Sequence, residues 1–216
     1  PVLARKLMRA RLGGWEFFGV IPGTVGGLVV MNAGTQRRSI SEKIVRVRIL
    51  DRDGRDVFRA PSREDFDYRW SLFQQAGETV LGVELSLDQL SKPHSSRRLF
   101  RKIMRERRQK FPRNPATCGS VFKSSPEMHS RVGPPGKVIE NLGLAGARVG
   151  RARVSRKHAN FFENMGGATA GDMLELIGRV HAAVLQETGF SMATEVRFVR
   201  SDGKIESITP ASTERS

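Results

Sequence analysis

Residues 21–34 read IPGTVGGLVVMNAG, and this stretch indicates more about fold and function than any other part of the 216-residue chain. Glycine adopts positive φ without a steric penalty and lets a large group approach the backbone N–H groups. Apolar residues flank the glycines on both sides, at 17–21 and 28–31. We therefore predict two strand-like segments joined by a turn whose amides form an anion-binding nest suited to phosphate.

The same glycines are compatible with an ordinary tight turn that binds nothing. Their spacing is not the G-x-G-x-x-G of the dinucleotide-binding fold, and no helix signal follows them, which disfavours a Rossmann domain. Residues elsewhere in the chain are needed to distinguish a phosphate-binding turn from a structural one.

The composition is typical of a globular protein with a core of its own. The chain is 38% hydrophobic and 27% charged, and no apolar run reaches the roughly 18–20 residues that cross a bilayer. Its length suits one large or two small domains. The first ten residues lack the apolar region of a signal peptide. A single cysteine excludes an internal disulfide and fits a reducing compartment, so we expect a cytoplasmic protein.

The net charge of +15 is the strongest competing signal. Basic residues concentrate at 97–110, in a segment with helical apolar spacing that Ser95 or Ser96 would cap. Such a face is compatible with simple solvation, with steering of anionic ligands, or with nucleic acid. Aromatic residues are not interleaved with the basic ones, which makes nucleic acid the least favoured partner.

The hydrophobic pattern divides the chain into two regions that meet near Phe111-Pro112. The first region is β-rich and ends in the basic helix. Alternation of apolar and charged residues predicts strands at 44–51, 57–58 and 79–87, with a turn at Asp53-Gly54.

The second region combines short elements with one long helix. The short elements are a loop at 133–136, a helix at 138–142 and strands at 152–154 and 194–199. The long helix is predicted at 170–188, where an apolar stripe marks one buried face and Gly189 provides the end. The stripe consists of Met173, Leu174, Ile177, Val180, Val184 and Leu185. Residues 201–216 are polar and predicted to be disordered.

Five further blocks follow the glycine-rich stretch in a fixed order. They are Tyr68-Arg69, CGSVFK at 118–123, KVIENLGL at 137–144, VSRKHANF at 154–161 and EVRF at 195–198. Together with IPGTVGG and MNAG, this series resembles the UDP-N-acetylenolpyruvoylglucosamine reductases, also called UDP-N-acetylmuramate dehydrogenases, of bacterial cell-wall synthesis. The resemblance extends over nearly the whole chain, from residue 14 to residue 199.

The resemblance implies an α+β fold in which part of an FAD-binding domain, at 1–110, precedes a smaller α+β substrate-binding domain, at 111–200, and a polar tail, at 201–216. Family members begin with a further segment that carries another glycine-rich phosphate loop. We therefore expect this chain, which starts at Pro1, to be a fragment that binds FAD poorly by itself. The short interval between Arg69 and Ser120 indicates the form of the enzyme without a tyrosine-bearing lid.

The implied reaction is the FAD-dependent, NADPH-consuming reduction of UDP-N-acetylglucosamine enolpyruvate to UDP-N-acetylmuramate. Hydride addition to an enol ether leaves carbanion character on the other carbon, so the reaction needs a proton donor and a charge-stabilising group. The family's proton-donating serine falls on Ser120. Its glutamate, which acts near the substrate carboxylate, falls on Glu195, and its flavin-side arginine falls on Arg69. Taken singly, these residues also fit a turn serine, a surface glutamate and a solvated arginine.

The resemblance also implies binding residues. FAD would be bound by the glycine-rich turn and by two residues nearer the ring, namely Gly23, Thr24, Val25, Gly26, Gly27, Asn32 and Gly34. The UDP-sugar would be bound by Tyr68, Lys123 and Lys137, although both lysines also fit surface positions. No metal, membrane or nucleic-acid partner is expected, and the protein is expected to be a monomer.

Two residues invite other kinds of chemistry. His158 has no second ligand at metal spacing, which argues against zinc. Cys118 lies near Ser120, but no histidine and amide or carboxylate are suitably spaced around it, so a packing role is favoured over thiol catalysis.

Several positions depart from the family pattern. TQRR at 35–38 stands where a small residue, an aromatic and glycine are usual. Ser124 replaces an amide that would contact substrate, Ala145 replaces a lysine and Arg151 a glycine. These departures leave a second hypothesis open: an inactive relic or binding module of the same fold, whose basic surface meets anionic partners such as nucleic acid.

Overall fold

The computed structural model describes residues 1–35, 38–74, 77–87, 93–112 and 116–208. It has the mixed α+β architecture that the sequence predicts. The chain forms two compact units, Pro1–Gln109 and Lys110–Ser216. Each unit has its own hydrophobic core.

The first unit combines short helices with small antiparallel sheets. Its helices are α1 (Val2–Arg9), α2 (Val25–Val30) and α3 (Pro93–Lys110). Its strands are β1 (Gly34–Thr35), β2 (Arg38–Ser39), β3 (Ile44–Leu50), β4 (Asp56–Arg59), β5 (Phe66–Asp67), β6 (Trp70–Ser71) and β7 (Thr79–Leu85). Turns of 3₁₀ helix lie at Glu16–Val20, Ile40–Lys43, Arg63–Asp65 and Leu72–Gln74.

Strand β3 is the centre of a three-stranded antiparallel sheet, between β4 and β7. The predicted strands and the turn at Asp53-Gly54 are confirmed, and Gly54 has the positive φ of +77° that this turn requires. Val47 and Ile49 are fully buried on one face. On the other face, Arg46 pairs with Glu84 at 2.6 Å. The alternation in the sequence thus corresponds to one core face and one charged face.

The prediction of strands on either side of the glycines is wrong. The residues before the turn form 3₁₀ helix, and those after it form α2. Leu28 packs against Trp15 and Phe18, whereas Val29 packs with Val47 in a second cluster. Successive residues of a helix point about 100° apart, so α2 fills both clusters at once. A six-residue apolar run cannot be assigned to helix or strand by its periodicity alone.

The basic segment forms α3, but the predicted cap is wrong. The helix begins at Pro93, so Ser95 and Ser96 lie within its first turn, and Ser96 is buried. Ile103 is buried, and the Phe100 ring lies so close to Gly19 that a Cβ there would stand 2.5 Å from Cε2. The apolar side of α3 is therefore packed within its own unit.

The second unit consists of a four-stranded antiparallel sheet, three helices and a two-stranded hairpin in its described residues. The sheet strands are β8 (Thr117–Ser120), β9 (Arg148–Val149), β10 (Ala152–Val154) and β11 (Phe161–Asn164), in the order β8-β11-β10-β9. The helices are α4 (Pro126–Arg131), α5 (Pro135–Asn141) and α6 (Ala170–Thr188). The hairpin strands are β12 (Arg197–Val199) and β13 (Ile205–Ser207).

Helix α6 is confirmed at both ends. Thr169 and Asp172 form a reciprocal capping box, and Gly189 ends the helix with φ +65°. Ile177, Val180 and Val184 are buried as predicted. Leu176 is also buried, whereas the predicted Met173, Leu174 and Leu185 are only half-buried, so the buried face is rotated slightly. The face packs on the sheet together with Val154 and Phe162.

The polar region after residue 200 is not wholly irregular. Strand β13 pairs with β12 through the register Val199↔Ile205, and Thr194 Oγ1 donates to the Ile208 carbonyl oxygen at 2.5 Å. The predicted disorder of 201–208 is therefore wrong, because these residues can form a hairpin whose ladder the polarity pattern does not reveal. Residues 209–216 of the predicted tail lie outside the described residues.

Candidate active site

The predicted phosphate-binding turn lies at the amino-terminal end of α2. Gly23 has φ +122°, and no heavy atom lies within 4 Å of the position that a Cβ would take. Thr24 caps the helix by accepting a hydrogen bond from Gly27 N at 3.1 Å. The N–H groups of Val25 and Gly26 have no acceptor among the described residues. They can donate to an anion, because the first amides of a helix lack acceptors within it.

A cleft of about 210 Å³ adjoins this turn. Gly23, Thr24 and Val25 line part of it, and Trp15 and Phe18 contribute aromatic surface. Pockets for cofactors usually enclose roughly 300–1,000 Å³. The cleft therefore has room for part of a dinucleotide rather than all of it.

Arg69 and Asn32 belong to two loops that the structure brings together. The Arg69 guanidinium donates to the Gly34 carbonyl oxygen at 3.2 Å, and the Asn32 amide donates to the Asp67 carbonyl oxygen at 2.9 Å. Both residues have positive φ, +56° for Arg69 and +39° for Asn32. This conformation is costly for an arginine and concentrates at functional sites. Three of the predicted site residues thus form one local cluster in the first unit.

Gly34 is required by the packing of this cluster. It pairs with Ser39 in the β1–β2 hairpin, and a Cβ at Gly34 would stand 1.8 Å from the Arg38 carbonyl oxygen. Any side chain at this position would force the hairpin apart. Gln36 and Arg37, which depart from the family pattern between the two strands, lie outside the described residues.

Tyr68 is exposed beside Arg69 in the two-residue turn between β5 and β6. Its ring centroid lies 5.0 Å from the Arg69 guanidinium carbon. The Gln74 amide donates to the Arg69 carbonyl oxygen at 3.0 Å and so supports the turn from below. The turn therefore presents an aromatic ring and a guanidinium at the same surface.

In the second unit, Ser120 ends β8 and is the register partner of Phe161 on β11. The register shifts between Phe161 and Glu163, which pairs with Thr117, so β8 carries one extra residue. Gly119 has φ +77° at this point. A bulge with a left-handed glycine re-aims the residue that follows it. Ser120 is half-buried and stands directly after the bulge.

Asn160 fixes the backbone after Ser120, although the sequence did not single it out for a role. Its Oδ1 accepts from Phe122 N at 3.0 Å, and its Nδ2 donates to the Phe122 carbonyl oxygen at 2.9 Å. The Asn160 carbonyl oxygen accepts from Val121 N at 2.9 Å. The buried asparagine therefore pairs with the backbone of Val121 and Phe122 as a neighbouring strand would. The only signal in the sequence was its place in the quoted HANF block.

Glu195 and Lys123 flank the same segment. The Glu195 N–H donates to the Val121 carbonyl oxygen at 2.7 Å, and the Lys123 N–H donates to the Ala193 carbonyl oxygen at 2.8 Å. Glu195 is half-buried and Lys123 is exposed. The segment that carries Ser120 and Lys123 thus lies beside the segment that carries Glu195, about 70 residues later in the chain.

Lys137 lies in the first turn of α5 and is exposed. Its ammonium nitrogen is 3.3 Å from Glu140 Oε2, a surface ion pair of small energetic value. The preceding Gly136 abuts His158, since a Cβ there would stand 3.0 Å from the His158 Cε1. The start of α5 is therefore held against the loop that carries Asn160.

His158 belongs to an aromatic cluster. Its ring stacks on Phe111 with centroids 5.0 Å apart and meets the Phe161 ring edge-on at 5.0 Å. Burial, with a smaller contribution from the Lys110 charge, lowers the pKa of His158. Across the described ranges, no group of three His, Cys, Asp or Glu side chains is arranged to hold a metal ion.

Cys118 does not resemble an activated thiol. Part of the residue is exposed, yet desolvation of the sulfur raises the pKa of the thiol. The sulfur lies 3.9 Å from the Phe162 carbonyl oxygen, to which it can donate only weakly. A raised pKa lowers the thiolate fraction at neutral pH, which is the opposite of what a nucleophile needs.

The structure shows the surroundings of three positions that depart from the family pattern. Ser124 Oγ lies 2.6 Å from His129 Nε2. Ala145 is half-buried against the core of the second unit. The Arg151 N–H donates to Asp172 Oδ2 at 3.2 Å, and the residue is exposed.

The fold matches a solved structure of a reductase. The crystal structure of UDP-N-acetylenolpyruvylglucosamine reductase from Thermus caldophilus superimposes with a TM-score of 0.75 at 33% sequence identity, and the match covers 89% of this chain and 67% of that one. The fold class defined by the two units is thus that of a known oxidoreductase. None of the helices in the described ranges is long and apolar enough to cross a membrane.

Sequence comparison identifies the family. A family model described as "UDP-N-acetylenolpyruvoylglucosamine reductase, C-terminal domain" matches residues 110–199. UDP-N-acetylenolpyruvoylglucosamine reductase 1 of Corynebacterium glutamicum is 44% identical over 206 residues, and the reductase of Moorella thermoacetica is 41% identical over 196. The chain belongs to the UDP-N-acetylenolpyruvoylglucosamine reductase family. The matches cover 94% and 91% of this chain but only 60% and 63% of those relatives.

Proposed function

We propose that this chain belongs to an enzyme that reduces UDP-N-acetylglucosamine enolpyruvate to UDP-N-acetylmuramate with FAD and NADPH. The observation that carries the proposal is the hydrogen bond from Glu195 N to the Val121 carbonyl oxygen at 2.7 Å. It holds the candidate acid Glu195 beside the segment that begins with the candidate proton donor Ser120. The family's name for its members supports the reaction class.

The residues present fit part of an FAD molecule. Val25 and Gly26 offer amide donors, and the open φ +122° conformation of Gly23 lets a phosphate approach them. Asn32 and Gly34 would lie nearer the ring system. When bound and reduced by NADPH, FAD would supply the hydride, and the protein would supply orientation and charge.

Ser120 holds the proton that the substrate needs. After hydride addition to one vinyl carbon, the electron pair of the double bond resides on the other carbon, which then takes the proton of the Ser120 hydroxyl. The O–H electron pair stays on the serine oxygen, which regains a proton from water. A positioned acid accelerates such a step by about 10²–10⁴-fold. The bulge at Gly119 and the hydrogen bonds of the Asn160 side chain to Phe122 fix the backbone on either side of Ser120. Glu195 then acts as a general acid or polarising group at the substrate carboxylate.

The cationic residues bind the anionic groups of the ligands. Arg69 is held in its positive-φ turn by the Gly34 contact, and its charge would stand near the flavin. Lys123 and Lys137 are exposed and would meet the diphosphate, and Tyr68 would contact the UDP-sugar. Such charge-assisted contacts are roughly twice as strong as neutral ones.

The wider role follows from the reaction. An enzyme making UDP-N-acetylmuramate serves peptidoglycan synthesis and cell wall biogenesis, and so affects cell shape, the cell cycle and cell division. Its soluble nucleotide substrates fit the cytoplasm, and we propose a monomer.

The test is NADPH oxidation by the gene's complete product in the presence of the enolpyruvyl substrate. We expect flavin absorbance in the purified protein and NADPH consumption that depends on the substrate. A Gly23→Val variant should lose the flavin, because valine adopts φ near +120° only with strain. A colourless wild-type protein, or one that consumes no NADPH, would overturn the proposal.

A second function is favoured by one observation on α3. Arg97, Arg98, Arg101 and Arg105 are exposed and have no carboxylate partner among the described residues. Such a surface would attract anionic partners, including nucleic acid, by its field. In an inactive member of the family, this surface would be the functional part.

A further inference from the structure

The Ser124 hydroxyl and the His129 ring form a short hydrogen bond next to Lys123. Ser124 Oγ lies 2.6 Å from His129 Nε2. Lys123 and His129 are exposed, and Ser124 is half-buried. The Ser124–His129 pair therefore directly follows Lys123 on the chain segment that carries Ser120.

Hydrogen bonds to backbone N–H groups fix the chain before Ser124 and around His129. On one side, Lys123 N donates to the Ala193 carbonyl oxygen at 2.8 Å. On the other, Ser125 Oγ accepts from Met128 N at 3.1 Å and so caps α4. The His129 N–H donates to the Ser125 carbonyl oxygen at 3.0 Å. The pair is thus preorganised, which lowers the entropic cost of binding a ligand.

The chemistry of the pair favours an acceptor-only ligand. A serine hydroxyl has one hydrogen, and imidazole Nε2 either donates or accepts. When Nε2 donates to Ser124 Oγ, the hydroxyl hydrogen is available to a ligand. A phosphate group accepts that hydrogen and is attracted by the Lys123 charge. Glu127, the acidic residue of α4, is 3.3 Å from Arg131 and so already has a cation.

We infer that Ser124 and His129 complete a diphosphate subsite with Lys123, in which His129 is a positioning residue that orients the Ser124 hydroxyl. The inference rests on the proposed function, because it takes the diphosphate to be that of the UDP substrate. It extends that function to His129, which has no counterpart among the site residues that the sequence predicts. It also explains how a serine can serve at a position where the family has an amide.

The experiment is calorimetric titration of the gene's complete product with UDP. Ser124→Ala and His129→Ala should each weaken UDP binding by about tenfold, the usual value of one hydrogen bond to a charged group. The double variant should be no weaker than either single one, because both remove the same donor. His129→Gln should bind nearly as the wild type does, since its amide nitrogen can replace Nε2.

Matched controls separate positioning from general damage. His94 is an exposed histidine of the first unit, and His94→Ala should leave UDP binding unchanged. In Ser124→Asn, the amide has donors of its own, so adding His129→Ala should have no further effect. In turnover assays, His129→Ala should raise KM for the enolpyruvyl substrate by a similar factor and change kcat little.

The outcomes distinguish the inference from the function on which it rests. A wild-type protein that does not bind UDP would overturn both. If the wild type binds UDP and His129→Ala binds equally well, only the inference is overturned. A His129→Gln variant as weak as His129→Ala, with the same thermal midpoint as the wild type, would also contradict the positioning role.

Discussion

The Asn32 side-chain amide donates to the Asp67 carbonyl oxygen at 2.9 Å and thereby joins the glycine-rich stretch to the turn that carries Arg69. The same side chain accepts a hydrogen bond from Ser41 N at 3.4 Å. Asn32 is buried and has φ +39°. Asparagine suits the position twice, because it tolerates the left-handed conformation and supplies both hydrogen-bonding groups.

Substitutions of Asn32 separate these two contributions. Asn32→Ala loses the hydrogen bonds and adds a left-handed penalty, so we expect it to lower the free energy of unfolding by about 2–4 kcal/mol. Asn32→Gly loses only the hydrogen bonds and should cost about 1–2 kcal/mol less than Asn32→Ala. Urea unfolding measures both values. Equal losses in the two variants would show that the positive φ carries no cost.

Gly34→Ala tests the tightest backbone contact of the candidate site. Its Cβ would stand 1.8 Å from the Arg38 carbonyl oxygen, so β1 and β2 must separate. We expect a loss of at least about 1–3 kcal/mol of unfolding free energy. The control is Gly82→Ala in β7, where the nearest heavy atom to a Cβ is 3.9 Å away. It should be neutral or slightly stabilising. Comparable losses at both glycines would contradict the prediction.

Ser120→Ala should separate the two half-reactions of the proposed enzyme. NADPH reduces the flavin without the serine, so the rate of flavin reduction should stay near that of the wild type. Reoxidation by the enolpyruvyl substrate needs the proton and should slow by about 10²–10⁴-fold. Stopped-flow absorbance of the complete protein follows both steps. Unchanged reoxidation would remove Ser120 from its role and return Glu195 or Cys118 to consideration.

The second unit should lose stability in mild acid. Burial lowers the pKa of His158, with help from Lys110, and burial also lowers the pKa of His181. As pH falls below about 6.5, the unfolded chain takes up protons before the folded one does. The stabilisation is therefore complete above about pH 6.5 and decreases as pH falls toward the folded-state values. Hydrogen exchange in α6 measures this change.

The control for the pH dependence is His158→Phe, which keeps a ring against Phe111 and removes one titrating group. Its stability should vary less between about pH 7 and about pH 5 than that of the wild type. The same variation in both proteins would exclude His158 as a contributor.

Duplex DNA should bind α3 weakly, without sequence preference, and with a steep loss of affinity as salt rises. Arg101→Glu with Arg105→Glu should remove this binding. Arg5→Glu with Arg9→Glu makes the same charge change at the same spacing on α1 and should have a smaller effect. Fluorescence anisotropy provides the measurement. Tight binding at physiological salt that depends on Arg101 and Arg105 would instead favour the binding-module hypothesis.

Elements whose ends are marked by capping residues or glycines, or whose faces follow a clear alternation, could be predicted from the sequence. Helix α6 has a capping box at Thr169 and a terminal glycine at Gly189, so its bounds follow from adjacent residues. Strand β10 was predicted with its observed limits, Ala152–Val154. The alternation in β3 predicted which residues are buried, because successive side chains of a strand point to opposite faces of the sheet.

Features that depend on distant residues could not be predicted in this way. The conformation of α2 is decided by two clusters that meet only in the fold, those of Trp15 and of Val47. The Asn160 side chain bonds to Phe122, which is 38 positions away in the sequence. The site residues themselves came from resemblance rather than from periodicity, and their roles remain predictions.

The bulge at Gly119 determines on which side of the sheet the candidate proton donor Ser120 lies. Three steps along β8, from Thr117 to Ser120, face two steps along β11, from Glu163 to Phe161. Side chains of a strand alternate between the two sides of the sheet. After one extra residue, the side chains that face a given side therefore change from odd-numbered to even-numbered residues. Strict alternation over these three steps would put Ser120 on the side of the sheet opposite to its partner Phe161, and the bulge keeps the two residues on the same side. In this segment, the irregularity of the strand decides which side of the sheet the candidate proton donor faces.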